Sequence, residues 1–268
     1  MTEALRPRLW PWHLLVLAVA VTFVWLGFWQ LGRHGQLQQR NALLEARLAE
    51  APRPYREAAA AFDPDAPAGA EDGPRYRPVV AEGRYAAEHE VLLRGRSLEG
   101  APGYHVLTPL VVDDAGERAV LVNRGWIPMQ RDDPRLPDAS PPDGRVTLEG
   151  RLMPEADPPT GPLAGLTPRD RPDGPLEIAA RADVERLQAQ MPFALDPFVV
   201  ELVRTRTPEV PTGPEHLPVP LDAPAPEAGP HISYALQWWF FAVVAIVGYG
   251  LLLRQRLADG GRRDGKGA

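Results

Sequence analysis

The residues best suited to chemistry stand where the sequence changes between polar and strongly apolar. His231 comes immediately before an apolar run, and Tyr234 and Trp238 follow it one and two turns later if the run is helical. Arg33 and His34 come just after another apolar run near the N-terminus. An imidazole can ligate haem iron, and a guanidinium can pair with a propionate carboxylate. The same residues can simply anchor helices at a bilayer surface, and physical arguments alone favour that second role.

The candidate residues lie at the ends of two uncharged apolar runs. The first covers residues 14–31 and has 18 residues, and the second covers residues 232–253 and has 22. At about 1.5 Å per residue in a helix, each run is close to the thickness of a bilayer's hydrocarbon core. A cleaved signal peptide is the alternative for the first run. However, that run lacks a small-residue cleavage site and carries Trp25 and Trp29 near its end, which favours a retained membrane anchor.

An antiparallel hairpin of these two helices would place His34 and His231 at a similar depth. His34 follows the first run and His231 precedes the second, so both lie at the same face of the bilayer. His13 precedes the first run and lies at the opposite face, about 25–30 Å away. We therefore expect His34, and not His13, to lie near His231.

Flanking charge predicts the orientation. Five basic residues lie between Arg254 and Lys266, and nothing basic comes just before the second run. The positive-inside rule places the C-terminus in the cytoplasm, and two spans then place the N-terminus there too. Arg33 and Arg40 follow the first run and oppose this orientation, but a long loop translocates largely regardless of its charge. Arginine-rich, alanine-rich composition is typical of a GC-rich bacterial genome, so we expect a bacterial inner-membrane protein with its main domain outside the cytoplasm.

The region between the runs is predicted to be rich in short strands. Its alternating segments are residues 77–85, 90–96, 104–112, 119–126, 144–152 and 198–204. Residues 113–116 supply a hairpin-turn signal. The fold class that follows is an α+β membrane protein, in which two transmembrane helices flank a β-rich antiparallel extracytoplasmic domain.

The remaining segments connect these elements. Helical spacing of leucines predicts that the first helix continues through residues 34–50, and residues 180–190 are predicted to form a separate helix. Proline-rich residues 135–175 are predicted to form a surface loop. The predicted domain order is a cytoplasmic N-terminus (1–13), a transmembrane helix (14–31), a helical extension with a Pro-rich connector (32–78), the β-rich domain (79–207), a Pro-rich tether (208–230), a transmembrane helix (231–253) and a basic cytoplasmic tail (254–268).

Composition excludes several classes of function. The chain has no Cys, which excludes disulfides, thiolate metal sites and a Cys nucleophile. A formal net charge of −6 argues against a nucleic-acid partner. No Gly-rich phosphate loop, paired-His zinc motif or Ser nucleophile elbow occurs. These absences disfavour an enzymatic function.

Three segments of the β-rich region are weaker candidates. His89 lies between Glu88 and Glu90, and in a strand these carboxylates point away from the His, which favours a solvated strand face over a metal site. His105 has no partner at metal-ligand spacing and is interpreted as an ordinary barrel residue. Residues 123–126 (NRGW) could contact a partner, but a structural corner with Trp126 packed and its Arg paired is favoured.

Four segments resemble the Surfeit locus protein 1 family of cytochrome c oxidase assembly factors. They are LGFWQLGR at 26–33, PGYHVLTPL at 102–110, VNRGWIP at 122–128 and HISYALQW at 231–238. They occur in the family's order, and two helices flanking an outer domain match its architecture. Each segment is weakly specific, but together they span most of the chain.

The resemblance implies a non-enzymatic assembly factor that binds haem a and assists its insertion into subunit I of cytochrome c oxidase. The family's haem-iron ligand corresponds to His231, with His34 as our geometric candidate for a second ligand and Arg33, Tyr234 and Trp238 as neighbours. Subunit I and membrane lipid are the expected partners, and haem a synthase is a further candidate.

Two other classes of function are the alternatives. One is a two-span membrane scaffold or sensor whose outer domain binds a ligand or a cell-envelope partner. About a dozen residues precede the first run and 15 follow the second, with no recognisable cytoplasmic output domain, which counts against signalling. The other is an envelope enzyme, which the missing catalytic motifs disfavour.

Overall fold

A computed structural model describes residues 9–61, 73–113, 118–129, 139–154, 170–171, 174–208, 210 and 215–264. The chain divides into two compact units, one formed by Met1–Leu43 with Ala225–Ala268 and the other by Leu44–Pro224. Each unit has its own set of packing contacts and is described separately below.

The first unit contains most of helix α1, Trp10–Leu48, and the whole of helix α4, His231–Asp264. Pro11 lies in the first turn of α1 and Pro230 directly precedes α4, where a missing backbone N–H leaves no helical hydrogen bond unmade. The predicted continuation of the first helix beyond the apolar run is confirmed as far as Leu48. Both helices are long and apolar enough to be candidate membrane spans, and few of their residues are buried.

The two helices run antiparallel and pack along a regular seam. Less exposed residues recur along α1 at alternating steps of three and four, the spacing of a coiled-coil seam. They are His13, Val16, Ala20, Phe23, Gly27, Gln30, His34, Leu37 and Asn41. Gly27 is essential to this contact, because a Cβ there would lie 2.1 Å from the Trp239 indole nitrogen. Large apolar side chains cover the outer faces of both helices.

The second unit is a β-sheet with short helices. Its strands are β1 (Arg53–Pro54), β2 (Arg77–Tyr85), β3 (Val91–Leu98), β4 (Ala101–Val112), β5 (Arg118–Pro128), β6 (Arg145–Pro154), β7 (Ile178–Ala179) and β8 (Ala194–Thr207), and its helices are α2 (Tyr55–Ala60) and α3 (Val184–Gln188). The strand predicted over residues 77–85 is confirmed with the same bounds. The other predicted strands are confirmed with ends shifted by at most four residues.

Five strands of this unit form a closed ring. The pairings run β2–β6–β8–β5–β4 and return to β2, where Gly83–Tyr85 pairs with Leu110–Val112. A Cβ on Gly83 would lie 2.2 Å from the Val111 carbonyl oxygen, so this residue lets the two strands close. The first half of β4 instead pairs with β3, which extends the sheet outside the ring.

The prediction of a purely antiparallel domain is wrong, because the sheet is mixed. Strand β8 runs parallel to β5, with Val122 opposite Val200. Strand β1 also runs parallel to β2, and β7 runs parallel to β3. Strand β6 lies between β2 and β8 and is antiparallel to both, which brings β8 back beside β5 in the same direction. A parallel pair needs a long crossover connection, and the 65 residues between Pro128 and Ala194 provide it.

Strand β5 is buried on both faces. Val120 and Val122 belong to the core inside the ring, whereas Ala119 and Leu121 belong to a second core that includes Leu187 of α3. Successive residues of a strand point to opposite faces, so a strand covered on both sides needs a nearly continuous apolar sequence.

The Pro-rich connector predicted before β2 is partly structured, which corrects that prediction. Residues 53–60 form β1 and α2, and Tyr55 is 1% exposed. The Tyr55 hydroxyl donates a hydrogen bond of 2.8 Å to the buried Asp196 carboxylate, which also accepts from Arg118. Residues 62–72 of the connector and 114–116 of the turn predicted at 113–116 lie outside the described residues. Of the surface loop predicted at 135–175, residues 135–138, 155–169 and 172–173 also lie outside them, and the loop prediction is wrong for residues 145–154, which form β6. The helix predicted over residues 180–190 is shorter and covers Val184–Gln188.

The segment after β8 is attached to the sheet near its middle. Trp126 and Val219 exchange two backbone hydrogen bonds of 2.8 Å, and Arg151 donates to the Leu221 carbonyl oxygen at 2.8 Å. Gly125 has a φ of 129°, and a Cβ there would lie 2.2 Å from the Val219 carbonyl oxygen. The sharp bend at Gly125 therefore makes room for this attachment.

Candidate functional site

The candidate site lies at the start of α4, where His231 is the first helical residue. The first turn is closed by hydrogen bonds to the Pro230 carbonyl oxygen from the Tyr234 amide at 3.1 Å and the Ser233 hydroxyl at 2.8 Å. This geometry fixes the direction in which the His231 side chain leaves the helix. The imidazole is half-buried and points into the seam between α1 and α4.

His231 is held by a residue of the other helix. Its Nδ1 lies 2.9 Å from Oε1 of Gln30, which belongs to α1. Gly229 lies against the opposite edge of the ring, because a Cβ there would be 2.8 Å from Cδ2 and 2.9 Å from Nε2 of His231. Gln30 therefore contacts one ring nitrogen, and a glycine without a side chain borders the other.

His34 lies one turn after Gln30 on the same face of α1. It is half-buried, and within the described part of the chain its Nδ1 is buried without a hydrogen-bond partner. An unpaired polar nitrogen in such a place is costly unless another group satisfies it. The structure thus places both predicted histidines on the seam.

The other three predicted site residues are arranged differently. The Trp238 ring packs against Phe23 with centroids 5.5 Å apart, deeper in the seam. Tyr234 is 47% exposed, and Arg33 is exposed and donates to the Gln36 amide oxygen at 3.5 Å. The structure therefore joins Trp238 to the seam but leaves the Tyr234 and Arg33 side chains outside it.

Sequence reasoning missed Gln30 and Gly229. A signal for Gln30 was present, because it is a polar residue within an uncharged apolar run and lies on one helical face between Gly27 and His34. No comparable signal marks Gly229, since the Pro- and Ala-rich segment around it has no periodicity.

His13 lies far from this site along α1. Its Nδ1 lies 2.8 Å from the Tyr249 hydroxyl, and the two rings meet edge to face. At about 1.5 Å per residue, His13 and His34 are about 30 Å apart along the helix. The predicted separation of His13 from His231 and His34 is confirmed.

Residues 123–126 form the predicted structural corner. Arg124 is 5% exposed, and its guanidinium donates to Glu90 at 3.2 Å, while Thr108 donates to the same carboxylate at 2.7 Å. Burial lowers the pKa of Arg124, and the neighbouring Glu90 carboxylate opposes that shift. Trp126 is 8% exposed. The structural interpretation of this segment is confirmed.

The two weaker metal candidates do not form a site. His89 ends a 3₁₀ turn, Ala87–His89, so its predicted position in a strand is wrong. His105 accepts a hydrogen bond of 3.3 Å from the Asn123 amide. Burial and the nearby Arg96 lower the pKa of His105 to about 4, which keeps the ring neutral. Among the described residues, no three His, Asp or Glu side chains gather closely enough to hold a metal ion.

Comparison with known proteins identifies the family. The sequence model of the SURF1 family, the Surfeit locus protein 1 family, matches residues 17–243. This chain belongs to the SURF1 family. All four sequence segments that resemble the family lie within the matched range, so the predicted membership is confirmed.

Several individual SURF1 relatives are similar to this chain. SURF1-like proteins of Mycobacterium bovis and Mycobacterium tuberculosis are 30% identical over 245 residues, which cover 90% of this chain and 83% of each relative. The cytochrome oxidase assembly protein SHY1 of Saccharomyces cerevisiae is 34% identical over 113 residues, which cover 42% of this chain and 27% of the yeast protein. A named role in cytochrome oxidase assembly therefore occurs among the relatives of this SURF1 family member.

Proposed function

We propose that this protein is an assembly factor for cytochrome c oxidase that binds haem a and assists its insertion into subunit I, without catalysing a reaction. The assembly role is supported by the yeast relative, which is named for it. The haem role is supported by one observation above all, the half-buried His231 whose Nδ1 is held by Gln30.

The residues around His231 fit a haem ligand. Haem iron accepts imidazole nitrogens as axial ligands, and haem also carries propionate carboxylates that basic groups can pair. A histidine that ligates a metal almost always donates its other ring N–H to an acceptor, and Gln30 provides that acceptor. The unpartnered buried nitrogen of His34 agrees with the same role.

Each site residue has a distinct task in this proposal. His231 binds the iron, and His34 is the candidate for a second ligand or a neighbour of the propionates. The exposed Arg33 guanidinium pairs with a propionate, while Tyr234 and Trp238 cover the apolar part of the bound group at the membrane surface. Binding through an imidazole ligand and apolar contacts is firm but reversible, which delivery to another protein requires.

The proposal also includes partners and a location. The protein lies in the bacterial plasma membrane, where its outward apolar side chains contact lipid. Residues 34–230 lie outside the cytoplasm and dock on subunit I, and haem a synthase is the proposed donor of haem a. The two termini lie in the cytoplasm, because the basic cluster between Arg254 and Lys266 opposes translocation.

The proposed function is tested by the haem a content of the oxidase. In cells that lack this protein, we expect purified cytochrome c oxidase to carry less haem a per subunit I and to acquire it more slowly after synthesis. Re-expression of the wild-type chain should restore both values. An unchanged haem content together with an unchanged rate of acquisition would contradict the proposal.

The proposed topology predicts where reporters are active. An alkaline phosphatase fused after residue 268 should be inactive, because it stays in the cytoplasm, whereas the same enzyme inserted at residue 137 should be active. A cytoplasmic fluorescent reporter at the two positions serves as the matched control and should give the opposite result. The reverse pattern for both reporters would overturn the layout.

A further inference from the structure

We propose that Gln30 is a positioning residue for His231, holding the proton on Nδ1 and so leaving the lone pair of Nε2 available to the haem iron. This inference rests on the proposed function, since it assigns a role to Gln30 at the same site. It concerns a contact between residues 201 positions apart in the chain.

The first step is the tautomer of the ring. A neutral imidazole carries its proton on only one nitrogen, and the hydrogen bond made by that nitrogen selects the tautomer. With the Gln30 amide oxygen assigned toward the ring, the 2.9 Å contact requires the proton on Nδ1. Nε2 then keeps its lone pair and can serve as a ligand.

The second step is the packing that keeps the Gln30 side chain in place. Gln30 lies on the facing side of α1, between the tightly packed Gly27 and the half-buried His34, and is itself half-buried. A hydrogen bond that is partly shielded from water is stronger than the same bond in solvent, so it biases the ring more effectively. A ligand held by such a bond loses less rotational freedom when it binds.

The third step is the close packing on the far side of the ring. A Cβ at residue 229 would lie 2.9 Å from both Nε2 of His231 and Cδ2 of Leu37, which is closer than real Cβ atoms normally approach. Gly229 does not have the positive φ that would strain another residue, so the obstacle to an Ala is steric. Gly229→Ala should therefore push the imidazole aside and obstruct approach to Nε2.

The tautomer can be measured without haem. Full-length protein labelled with ¹⁵N-histidine in lipid nanodiscs, above pH 8, gives two-bond ¹H–¹⁵N spectra that distinguish the tautomers, and His231→Ala identifies the His231 signal. We expect the Nδ1–H form in the wild type and in Gln30→Glu, and a mixture in Gln30→Leu. Gln38→Leu is the matched control, because Gln38 is an exposed glutamine of the same helix, and it should resemble the wild type. An Nε2–H ring in the wild type, or an unchanged Nδ1–H ring in Gln30→Leu, would overturn the proposal.

Haem a titration supplies the second readout. Loss of a group that orients a metal ligand typically weakens metal affinity 10–100-fold. We expect a weakening of about that size for Gln30→Leu, a weakening for Gly229→Ala, and no change for Gln38→Leu. The Nδ1 acceptor raises ligand basicity and favours ferric iron, so the midpoint potential should rise in Gln30→Leu and fall in Gln30→Glu.

The outcomes distinguish a failure of the proposed function from a failure of the role of Gln30. A wild-type chain that binds no haem a would contradict the proposed function. If the wild type binds haem a and His231→Ala does not, equal affinity and equal potential in Gln30→Leu would contradict the role of Gln30 alone.

Discussion

Replacing His231 with Ala is expected to remove most of the haem a from the protein purified from cells that make it. The substitution deletes the proposed iron ligand, while Ala is well tolerated in a helix. The lost hydrogen bond to Gln30 costs only about 0.5–1.5 kcal/mol of stability, so the protein should remain folded. The wild type should show a low-spin or mixed-spin haem spectrum, measured per mole of protein.

Two other histidines of α1 serve as graded comparisons. His34→Ala should lower the haem content less than His231→Ala and alter the spin state, because His34 is the candidate second ligand. His13→Ala should leave the haem content unchanged, since His13 pairs with Tyr249 about 30 Å away along the helix. The loss of haem should therefore be largest for His231→Ala, smaller for His34→Ala and absent for His13→Ala. This order tests both the assignment of the iron ligand and the placement of the three histidines along the helices.

Equal haem content in the wild type and in His231→Ala would reject the ligand assignment while leaving the assembly role intact. Circular dichroism of both proteins, recorded in the same detergent, should show the same helix content. The haem content of the oxidase should be followed in parallel. Residual oxidase activity with His231→Ala agrees with the proposal, because a delivery factor accelerates insertion without being indispensable.

The strands of the second unit, Leu44–Pro224, were predictable where one residue pattern dominates. In β2 the buried residues Val79, Ala81 and Gly83 alternate with more exposed ones, which is the period-two pattern of a strand. The two candidate spans were predictable for a similar reason, since length and composition alone decide them.

The direction of strand pairing was not predictable from the same patterns. The alternation of side chains in β8 is the same whether its neighbour runs parallel or antiparallel. Its parallel pairing with β5 depends on β6 occupying the position between β2 and β8. That arrangement is a property of the whole ring and leaves no local mark in the sequence.

Residues whose role depends on distant partners were also missed. Tyr55 stands in a Pro- and Ala-rich segment with no apolar periodicity. The partner of its buried hydroxyl is Asp196, which lies 141 residues later in the chain. Gln30 has the same character, because its partner His231 is 201 residues away. His231 was found from its neighbours in sequence and from the family resemblance. The sequence marks Gln30 only as a polar residue on one face of an apolar helix, and the packed helices are needed to show that it holds His231.

Replacing Trp126 with Ala is expected to destabilise the second unit by about 3–5 kcal/mol, the usual cost of deleting a large buried aromatic side chain. Trp126 is 8% exposed, and its ring lies against Gly103, where a Cβ would be 2.3 Å from the indole nitrogen. The same residue bonds through its backbone to Val219. Denaturant unfolding of the detergent-solubilised full-length protein should show a lower midpoint, and its level in cells should fall together with oxidase assembly.

Trp126→Phe separates the packing of the ring from its polar group. Within the described residues the indole nitrogen is buried without a hydrogen-bond partner, so removing it relieves an unsatisfied donor while keeping an aromatic ring. We therefore expect Trp126→Phe to cost less than about 1.5 kcal/mol. Met129→Ala, at a 47% exposed residue just after β5, should stay within about 0.5 kcal/mol of the wild type. Normal stability and abundance of Trp126→Ala, combined with lost oxidase assembly, would instead identify this corner as a docking surface and reject its structural role.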